Sequence, residues 1–260
     1  MLRRQLLTGL LVTVCLIVLL GGVFPLVVWG VGQVAFNHQA NGSFVKVNGK
    51  VVGSSLIGQS FTDKDGNPLP RYFQPRPSAT VDSKGNPLPY NSANSAGSNL
   101  GPSNANLIGN NINDPRANPF RTPQDPYCVP VQATDRNGNP QTDAQGNAVY
   151  EKNRDGTYVC NPNTVPERVL AYRRLNGLPA TTRVPVDAVT ASGSGLDPDI
   201  TEANALDQAT RVARARRLSV PSVVALIHQH VDSRAWGVLG ENSVNVLDLN
   251  LALDRLTPSG

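Results

Sequence analysis

Residues 6–28 read LLTGLLVTVCLIVLLGGVFPLVV, and this stretch decides how the rest of the chain is organised. Sixteen of its 23 residues are Leu, Ile, Val or Phe, and none is charged. As a helix it would be about 34 Å long, compared with roughly 30 Å of bilayer hydrocarbon. We therefore predict a transmembrane helix over 6–31, preceded by a short cytoplasmic N-terminus of residues 1–5, with Trp29 as an interfacial anchor.

The flanking charges predict the orientation of this helix. Arg3 and Arg4 precede it, and the next fixed charge is Lys46. Because basic residues are in excess on the cytoplasmic side, the N-terminus is expected in the cytoplasm and the main domain outside. A cleaved signal peptide is the alternative. Its apolar region would have about 7–15 residues and an Ala-x-Ala-like site after it, whereas this run is longer and no good site follows.

The composition of the 260 residues excludes several classes of protein. The 23 Gly and 21 Pro make up about one residue in six, which is too many turn formers for a helical bundle. The hydrophobic content of 40% is too high for a fully disordered chain. The net charge is only +4 and no dense basic stripe occurs, so we expect no nucleic acid as a partner.

Helical and strand patterns follow one another in the exported part, which predicts an α+β (mixed α/β) domain. This domain comprises residues 36–107 and 166–260. The predicted segments are a hairpin around Asn48-Gly49, a helix over 165–176, a strand over 184–190, a helix capped by Asp197 or Asp199 that runs to about 218, a helix from Pro221 to about 231, and a strand over 244–251.

Residues 108–165 differ in character, with ten Asn and seven Pro in 58 positions. This density leaves little room for a helix, so we interpret the stretch as a surface insertion with one or two hairpins. Cys128 and Cys160 lie within it, and a pair of cysteines in an oxidising compartment is most simply a disulfide. A two-cysteine metal site is disfavoured because no His lies nearby, and Cys15 belongs to the apolar helix.

We find no motif that indicates catalysis. Ser192 and Ser194 lie in a Gly-rich loop, which would suit a membrane-anchored extracytoplasmic serine hydrolase. Neither fits G-x-S-x-G, and the sequence identifies no His as a base, so loop serines that turn the backbone are favoured. His228 and His230 are two residues apart on a predicted helix and point to different faces, so no metal site is predicted.

Four arginines, Arg211, Arg214, Arg216 and Arg217, fall in the last turns of the helix that ends near residue 218. Cations in this position complement the negative end of the helix dipole. We therefore predict that they lie on a solvated face.

Several distinctive runs occur in chain order: RPSAT at 76–80, SAGSNLGPSN at 95–104, VTASGSGLDP at 189–198, and VNVL and LNLAL within 244–253. Together they resemble the KdpC subunits of Kdp-type potassium-transporting ATPases. Asp199 departs from the pattern, which has His or Asn in many relatives. The motif residues are Arg76, Pro77, Ser78, Asn91, Ser98, Asn99, Asn104, Thr190, Ser192, Gly193, Ser194, Gly195, Asp197, Arg211, Asn245 and Asn250.

The resemblance implies a non-catalytic accessory subunit of an ATP-driven, high-affinity potassium uptake pump, in the lipid of the bacterial inner membrane. Its implied partners are a potassium-channel-like subunit, a P-type ATPase subunit that hydrolyses ATP, and a small single-span subunit. Potassium is handled by the partners. The family's C subunit is described as an assembly factor that raises the ATP affinity of the ATPase subunit. Gln208 best matches the glutamine implicated in nucleotide contact.

The predicted topology conflicts with direct contact between the exported domain and cytoplasmic ATP, because the bilayer separates them. Coupling would then pass through the membrane helix or the partner subunits. Gly9, Gly21 and Gly22 predict a face where this helix docks closely on a partner, although such glycines are also common in membrane helices. A free-standing structural or adhesion module, which needs no membrane partner, is a further alternative.

Overall fold

The computed structural model describes residues 1–101, 103–109, 118–122, 128–136, 138–234 and 236–256. Two compact units are distinguished, Met1–Leu56 and Ile57–Gly260. Pro102, which belongs to the motif run at 95–104, lies outside the described residues. So do 110–117, 123–127 and Asn137, which belong to the predicted insertion.

The first unit begins with a continuous helix, α1, over Leu2–Ala35, which is long and apolar enough to cross a membrane. Its turn at Leu19–Val23 has π-helical hydrogen bonding, and regular helix resumes at Phe24. Pro25 follows immediately, and a wider turn there relieves the clash between its ring and the preceding turn. No side chain of α1 is buried against the rest of the protein. The prediction of a mixed fold with one apolar N-terminal helix is confirmed.

A short helix and a hairpin complete the first unit. Helix α2 spans Asn37–Ala40, and strands β1 (Phe44–Val47) and β2 (Lys50–Ser54) pair antiparallel. The two turn residues between them have positive φ, 50° at Asn48 and 79° at Gly49. Such a turn matches the twist of the flanking strands, and the predicted hairpin is confirmed.

Among its described residues, the second unit has a small antiparallel sheet and four longer helices. Its sheet order is β3-β5-β4. The core is formed mainly by α5, α6 and α7, with Phe73, Ile200 and Val244 buried among them. The elements are α3 (Ala105–Ile108), α4 (Val165–Asn176), β3 (Asp199–Thr201), α5 (Glu202–Arg216), α6 (Val220–Gln229), β4 (Val231–Asp232), β5 (Ser243–Asn245) and α7 (Val246–Leu256).

Helices α4 and α6 lie where the sequence predicts them. Thr164 caps α4 by accepting a hydrogen bond from the Glu167 N–H, and Gly177 ends the helix with a φ of 66°. The start of α5 differs from the prediction, because Thr201, rather than Asp197 or Asp199, accepts the capping hydrogen bond from the Asn204 N–H.

Two predicted strands are wrong. Residues 184–190 contain a 3₁₀ turn at Val186–Ala188, because Asp187 turns inward to bind the main chain and side chain of Thr201. The stretch 244–251 is strand only as far as Asn245, whose side chain caps α7 by accepting from the Asp248 N–H at 3.2 Å. The buried residues of α7 recur every three to four positions, which is the helical period rather than the alternating one.

The described residues 128–136 and 138–161 form a three-hairpin module rather than the one or two hairpins predicted. The hairpins close at Thr134–Pro140, Thr142–Ala148 and Lys152–Tyr158, and Cys128 and Cys160 are joined by a disulfide. Main-chain hydrogen bonds link the strands in two closed rings of three. One ring contains residues 133, 141 and 149, and the other contains 131, 151 and 159.

Candidate functional site

Three residues singled out in the sequence, Gln208, Arg211 and Asn250, hold residues 70–74, a segment that begins as a turn and lies between α5 and α7. Phe73 donates its N–H to Asn250 Oδ1 at 2.8 Å and accepts from Asn250 Nδ2 at 3.0 Å. Gln74 is held in the same manner by Gln208, with distances of 2.7 and 3.0 Å. We call Gln208, Arg211 and Asn250, which bind the main chain or each other here, the polar clamp.

Gln208 is 1% exposed and uses its whole hydrogen-bonding capacity inside the protein. Its Nε2 donates to the Gln74 carbonyl at 3.0 Å and to Asn204 Oδ1 at 2.9 Å. Its Oε1 accepts from the Gln74 N–H at 2.7 Å and from Arg211 Nη2 at 2.6 Å. A primary amide has two donor hydrogens and two acceptor sites, so none remains for a ligand in this arrangement.

Arg211 and Arg216 are both 7% exposed, so the prediction of a solvated face is wrong for these two. Arg211 donates to Asn176 Oδ1 and to the carbonyl oxygens of Pro70 and Tyr72. Burial lowers the pKa of its guanidinium group to about 10, which leaves it charged at neutral pH. These arginines lie inside because segment 70–74 has carbonyl groups that no neighbouring strand binds.

Arg216 extends the same arrangement to the end of α5. It donates to the Arg71 carbonyl at 2.7 Å and pairs with Asp254 at 2.7 Å. Its guanidinium carbon lies 4.8 Å from the centre of the Tyr72 ring, and Tyr72 also donates to Asp254. Arg214 and Arg217 are exposed, as predicted.

A second buried polar group adjoins the clamp and was missed by the sequence analysis. Asp187 accepts three hydrogen bonds, from the Thr201 N–H, the Thr201 hydroxyl and Asn204 Nδ2. The Tyr172 hydroxyl donates to Asn204 Oδ1 at 2.9 Å, and burial raises the pKa of this phenol above its usual value. One signal was available, because Asn204, Gln208 and Arg211 are spaced as one face of a helix.

The motif at 76–80 packs against the loop at 192–197. Ser78 donates to the Gly195 carbonyl at 2.8 Å and accepts from the Tyr90 N–H at 3.0 Å. Arg76 pairs with Asp197 at 2.9 Å. Gly195 has a φ of 68°, and a Cβ there would lie 2.5 Å from the Ala96 carbonyl oxygen. The glycine is therefore required by both backbone conformation and close approach.

Ser192 and Ser194 have the local hydrogen bonds of loop serines. Ser192 Oγ accepts from the Gly195 N–H at 2.9 Å, and Ser194 Oγ accepts from the Leu196 N–H at 3.1 Å. The two hydroxyl oxygens are 3.3 Å apart. Within the described part of the chain, no hydrogen bond joins either serine to a histidine.

The other motif residues make mostly local contacts. Asn91 Nδ2 donates to the Val81 carbonyl at 2.8 Å, and Thr190 donates to the Val186 carbonyl at 2.7 Å. Ser98 accepts from the Leu100 N–H, and Asn104 accepts from the Asn106 N–H at the start of α3. Positive φ occurs at Asn99, and Pro77 and Gly193 lie in the two facing loops without side-chain hydrogen bonds.

The predicted docking residues all lie on α1. A Cβ added at Gly9, Gly21 or Gly22 would meet no atom within 4 Å, and Trp29 is 64% exposed. Elsewhere, His228 lies 3.6 Å from Glu202, and His230 Nδ1 lies 2.9 Å from the Leu226 carbonyl. Among the residues that the structure describes, no group of three His, Cys, Asp or Glu side chains is placed to hold a metal ion.

A cavity of about 730 Å³ opens beside the clamp, between α4 and the segment that follows residue 74. Arg76, Tyr90, Arg168 and Tyr172 line it, and Gln208 forms part of its inner wall. Burial lowers the pKa of Arg168, which donates to the Val189 carbonyl. None of the described residues that line this cavity is Asp or Glu.

Comparison with known proteins agrees with the ordered set of motifs. The family model described as KdpC, K+-transporting ATPase, c chain, matches residues 6–138 and 143–255. The chain belongs to the KdpC family. The match to the KdpC model covers α1 from residue 6 onward, the polar clamp and the loop at 192–197, and it includes most of the Asn/Pro-rich stretch 108–165.

Individual KdpC relatives are similar over nearly their whole length. The potassium-transporting ATPase KdpC subunit of Mycobacterium tuberculosis is 42% identical over 254 residues, which covers 98% of this chain and 100% of that protein. The KdpC subunit of Klebsiella pneumoniae is 38% identical over 248 residues, with 95% of each chain covered. That of Methylococcus capsulatus is 40% identical, with 92% of this chain and 91% of that protein covered.

Proposed function

We propose that this chain is a non-catalytic accessory subunit of an ATP-driven potassium uptake pump, required for assembly of the pump and for a high ATP affinity of its ATPase subunit. Membership of the KdpC family supports the place in the pump. The side chains that most resemble a site, Gln208 and Arg211, are engaged in holding segment 70–74. Because these side chains are used in internal hydrogen bonds, we favour a rigid subunit that acts on its partners over a subunit that catalyses a reaction.

We infer further that the effect on ATP affinity is indirect. The supporting observation is the saturated amide of Gln208, which would have to break at least one buried hydrogen bond to contact a nucleotide. Leaving a buried donor or acceptor unpaired costs about 1–3 kcal/mol. A topology with the N-terminus in the cytoplasm and the second unit outside also separates that unit from cytoplasmic ATP.

The experiment compares the isolated full chain in detergent with the reconstituted pump. Omitting the chain should raise the KM for ATP and reduce recovery of the complex. The isolated chain should show no saturable ATP binding. Saturable ATP binding by the isolated chain that Gln208→Ala abolishes in a folded protein would overturn indirect coupling. Gln229→Ala, an exposed residue of α6, is the control.

Gln208→Ala is also informative within the pump. A structural role predicts a lower yield of folded complex with an unchanged KM for ATP in the complex that remains. A direct role predicts the reverse, a normal yield with a raised KM. Potassium-stimulated ATP hydrolysis normalised to complex, measured against ATP concentration, separates the two.

We propose that α1 docks laterally on a partner subunit through Gly9, Gly21 and Gly22, and that the second unit lies over the entrance of the channel-like subunit. The three glycines are unobstructed on α1, and small residues allow helices to approach closely. Replacing Gly21 and Gly22 by Leu should reduce co-purification of the channel-like subunit, whereas Gly30→Leu should not. Equal recovery from all variants would exclude this docking face.

No observation favours the serine hydrolase alternative. The hydroxyl oxygens of Ser192 and Ser194 accept from main-chain N–H groups of their own loop. An activated serine needs a base within hydrogen-bond reach, and the described residues supply none here.

A further inference from the structure

A cleft of about 360 Å³ lies between the C-terminal ends of α4 and α5, separate from the loops of the family motifs. Three arginines line it, Arg174 from α4 and Arg211 and Arg214 from α5. The other described residues that line it are neutral, and they include no Asp or Glu. The cleft is therefore electropositive.

Arg211 forms the buried side of this cleft, and among the described residues no carboxylate is hydrogen-bonded to it. Its hydrogen-bond acceptors are all neutral: the Asn176 and Gln208 side-chain oxygens and the carbonyls of Pro70 and Tyr72. Buried charges in proteins are usually paired, because removing a charge from water is costly. A buried positive charge whose bonded acceptors are all neutral favours an anion in the adjoining space.

Arg174 and Arg214 form the exposed side of the cleft. Both are exposed, and within the part of the chain that the structure describes neither guanidinium group has a hydrogen-bond or ion-pair partner. Each keeps all five N–H donors available, in the planar arrangement that suits carboxylate and phosphate oxygens.

The partial negative charges at the ends of the two helices are too small to neutralise the three arginines. At the end of α4, the N–H groups of Gly177 and Leu178 bind the last carbonyls, and at the end of α5 those of Arg217 and Leu218 do the same. Each helix end carries about half a negative charge. Three arginines therefore leave an excess of positive charge in the cleft.

We propose that this cleft binds a small oxyanion, a phosphate or carboxylate group, held by Arg174 and Arg214 with Arg211 behind it. A volume of about 360 Å³ is near the lower limit for ligand pockets, which suits a small anion. The oxyanion is either a free anion or the side-chain carboxylate of a partner subunit. The proposal does not depend on the proposed effect on ATP affinity.

The first test measures binding of inorganic phosphate to the full chain in detergent by calorimetry, at constant ionic strength maintained with chloride. Saturable binding is expected. Arg174→Gln and Arg214→Gln should each weaken it about tenfold or more, because each removes charge-assisted hydrogen bonds. Both arginines are exposed and unpartnered, so the variants should remain folded.

Arg217→Gln is the matched control, because Arg217 is an exposed arginine at the end of the same helix and does not line the cleft. It removes the same charge and should change the affinity less than twofold. An equal loss in Arg217→Gln would show non-specific attraction and overturn the proposal. So would the absence of saturable phosphate binding together with normal pump assembly in the Arg174→Gln, Arg214→Gln double variant.

The source of the oxyanion is distinguished by repeating the measurement with the assembled pump. Phosphate binding retained in the complex assigns the cleft to a free anion. Binding that the complex loses, with assembly weakened in the double variant but not in Arg217→Gln, assigns it to a carboxylate of a partner subunit.

Discussion

Asn250 binds both main-chain groups of Phe73, accepting from its N–H at 2.8 Å and donating to its carbonyl at 3.0 Å. Gln208 does the same to Gln74, the next residue. In an extended chain, the main-chain groups of successive residues point to opposite sides. Segment 73–74 is thus held like a central strand, except that side-chain amides of α7 and α5 take the place of neighbouring strands.

Asn250→Ala should destabilise the second unit by about 3 kcal/mol. The substitution removes both partners of Phe73, and each buried main-chain group left unpaired costs about 1–3 kcal/mol. Urea unfolding of the full chain in detergent, followed by circular dichroism, measures the change. Asn106→Ala, at an exposed position of α3, should leave the midpoint unchanged. A loss for Asn250→Ala no larger than for this control would contradict the central role of the amide.

Gly195→Ala should be more damaging than Gly193→Ala, although the two glycines lie in the same loop. A Cβ at Gly195 would lie 2.5 Å from the Ala96 carbonyl oxygen and 2.7 Å from Thr80 Cγ2, at a φ of 68°. A Cβ at Gly193 would meet nothing within 4 Å. We expect Gly195→Ala to lower the free energy of unfolding by about 2 kcal/mol or more, and Gly193→Ala to change it little. Thermal unfolding measures both. Similar losses at both positions would argue against this packing.

Reducing the disulfide should loosen the three-hairpin module selectively. Cys128 and Cys160 are 32 residues apart, and closing such a loop contributes about 3–4 kcal/mol in the chain-entropy model. Hydrogen exchange should accelerate at the amides of the two rings, such as Ala133 and Val159, and stay slow in α5. The measurement is made in a Cys15→Ser background, so that only this pair reacts. Unchanged exchange in the rings after reduction would contradict the stapling role.

Asp199→Asn should stabilise the protein at neutral pH. Burial raises the pKa of the Asp199 carboxyl, and the charge of Asp197 raises it further. Because the folded protein binds this proton more tightly than the unfolded chain does, the wild type gains stability as the pH falls toward the raised pKa. The amide keeps an oxygen that can accept from Asn245, which donates to Asp199 at 3.1 Å.

The advantage of Asp199→Asn should therefore be largest near pH 7 and shrink as the pH falls toward the raised pKa of Asp199, where the carboxyl becomes protonated. Thermal unfolding across this range checks the sign. A constant difference at every pH would exclude titration of Asp199 as the cause.

Helix boundaries with local signals could be predicted well. Helix α4 has Thr164 and Pro166 at its start and Gly177 at its end. Each of these residues sets the nearer end of the helix through contacts within one turn of that end. The prediction of a strand over 244–251, where the structure has α7, failed for a physical reason. The run Val-Asn-Val-Leu-Asp-Leu-Asn-Leu alternates as a strand does. However, Asn245 caps the start of a helix, and the apolar face of that helix packs on α5 and α6. The spacing Asn245-x-x-Asp248 was the available signal.

The candidate site was predicted only in part. Motif residues such as Gln208, Arg211 and Asn250 could be named from the sequence, but their common target could not. Segment 70–74 lies more than 130 positions away from them along the chain. Asp187 and Asn176 carry no local sign of burial, because a polar side chain enters a core only where distant groups satisfy its hydrogen bonds.

Local sequence patterns were sufficient to predict the apolar helix α1, the hairpin at Asn48-Gly49, the caps of α4 and the class of the fold. Each depends on residues within a few positions or on the apolar content of one continuous segment. The inward turn of Arg211 and Arg216, the strand-like binding of segment 73–74 and the electropositive cleft arise from long-range packing. Their energies depend on which main-chain groups are left without partners once α5 and α7 enclose that segment, and no local pattern encodes that.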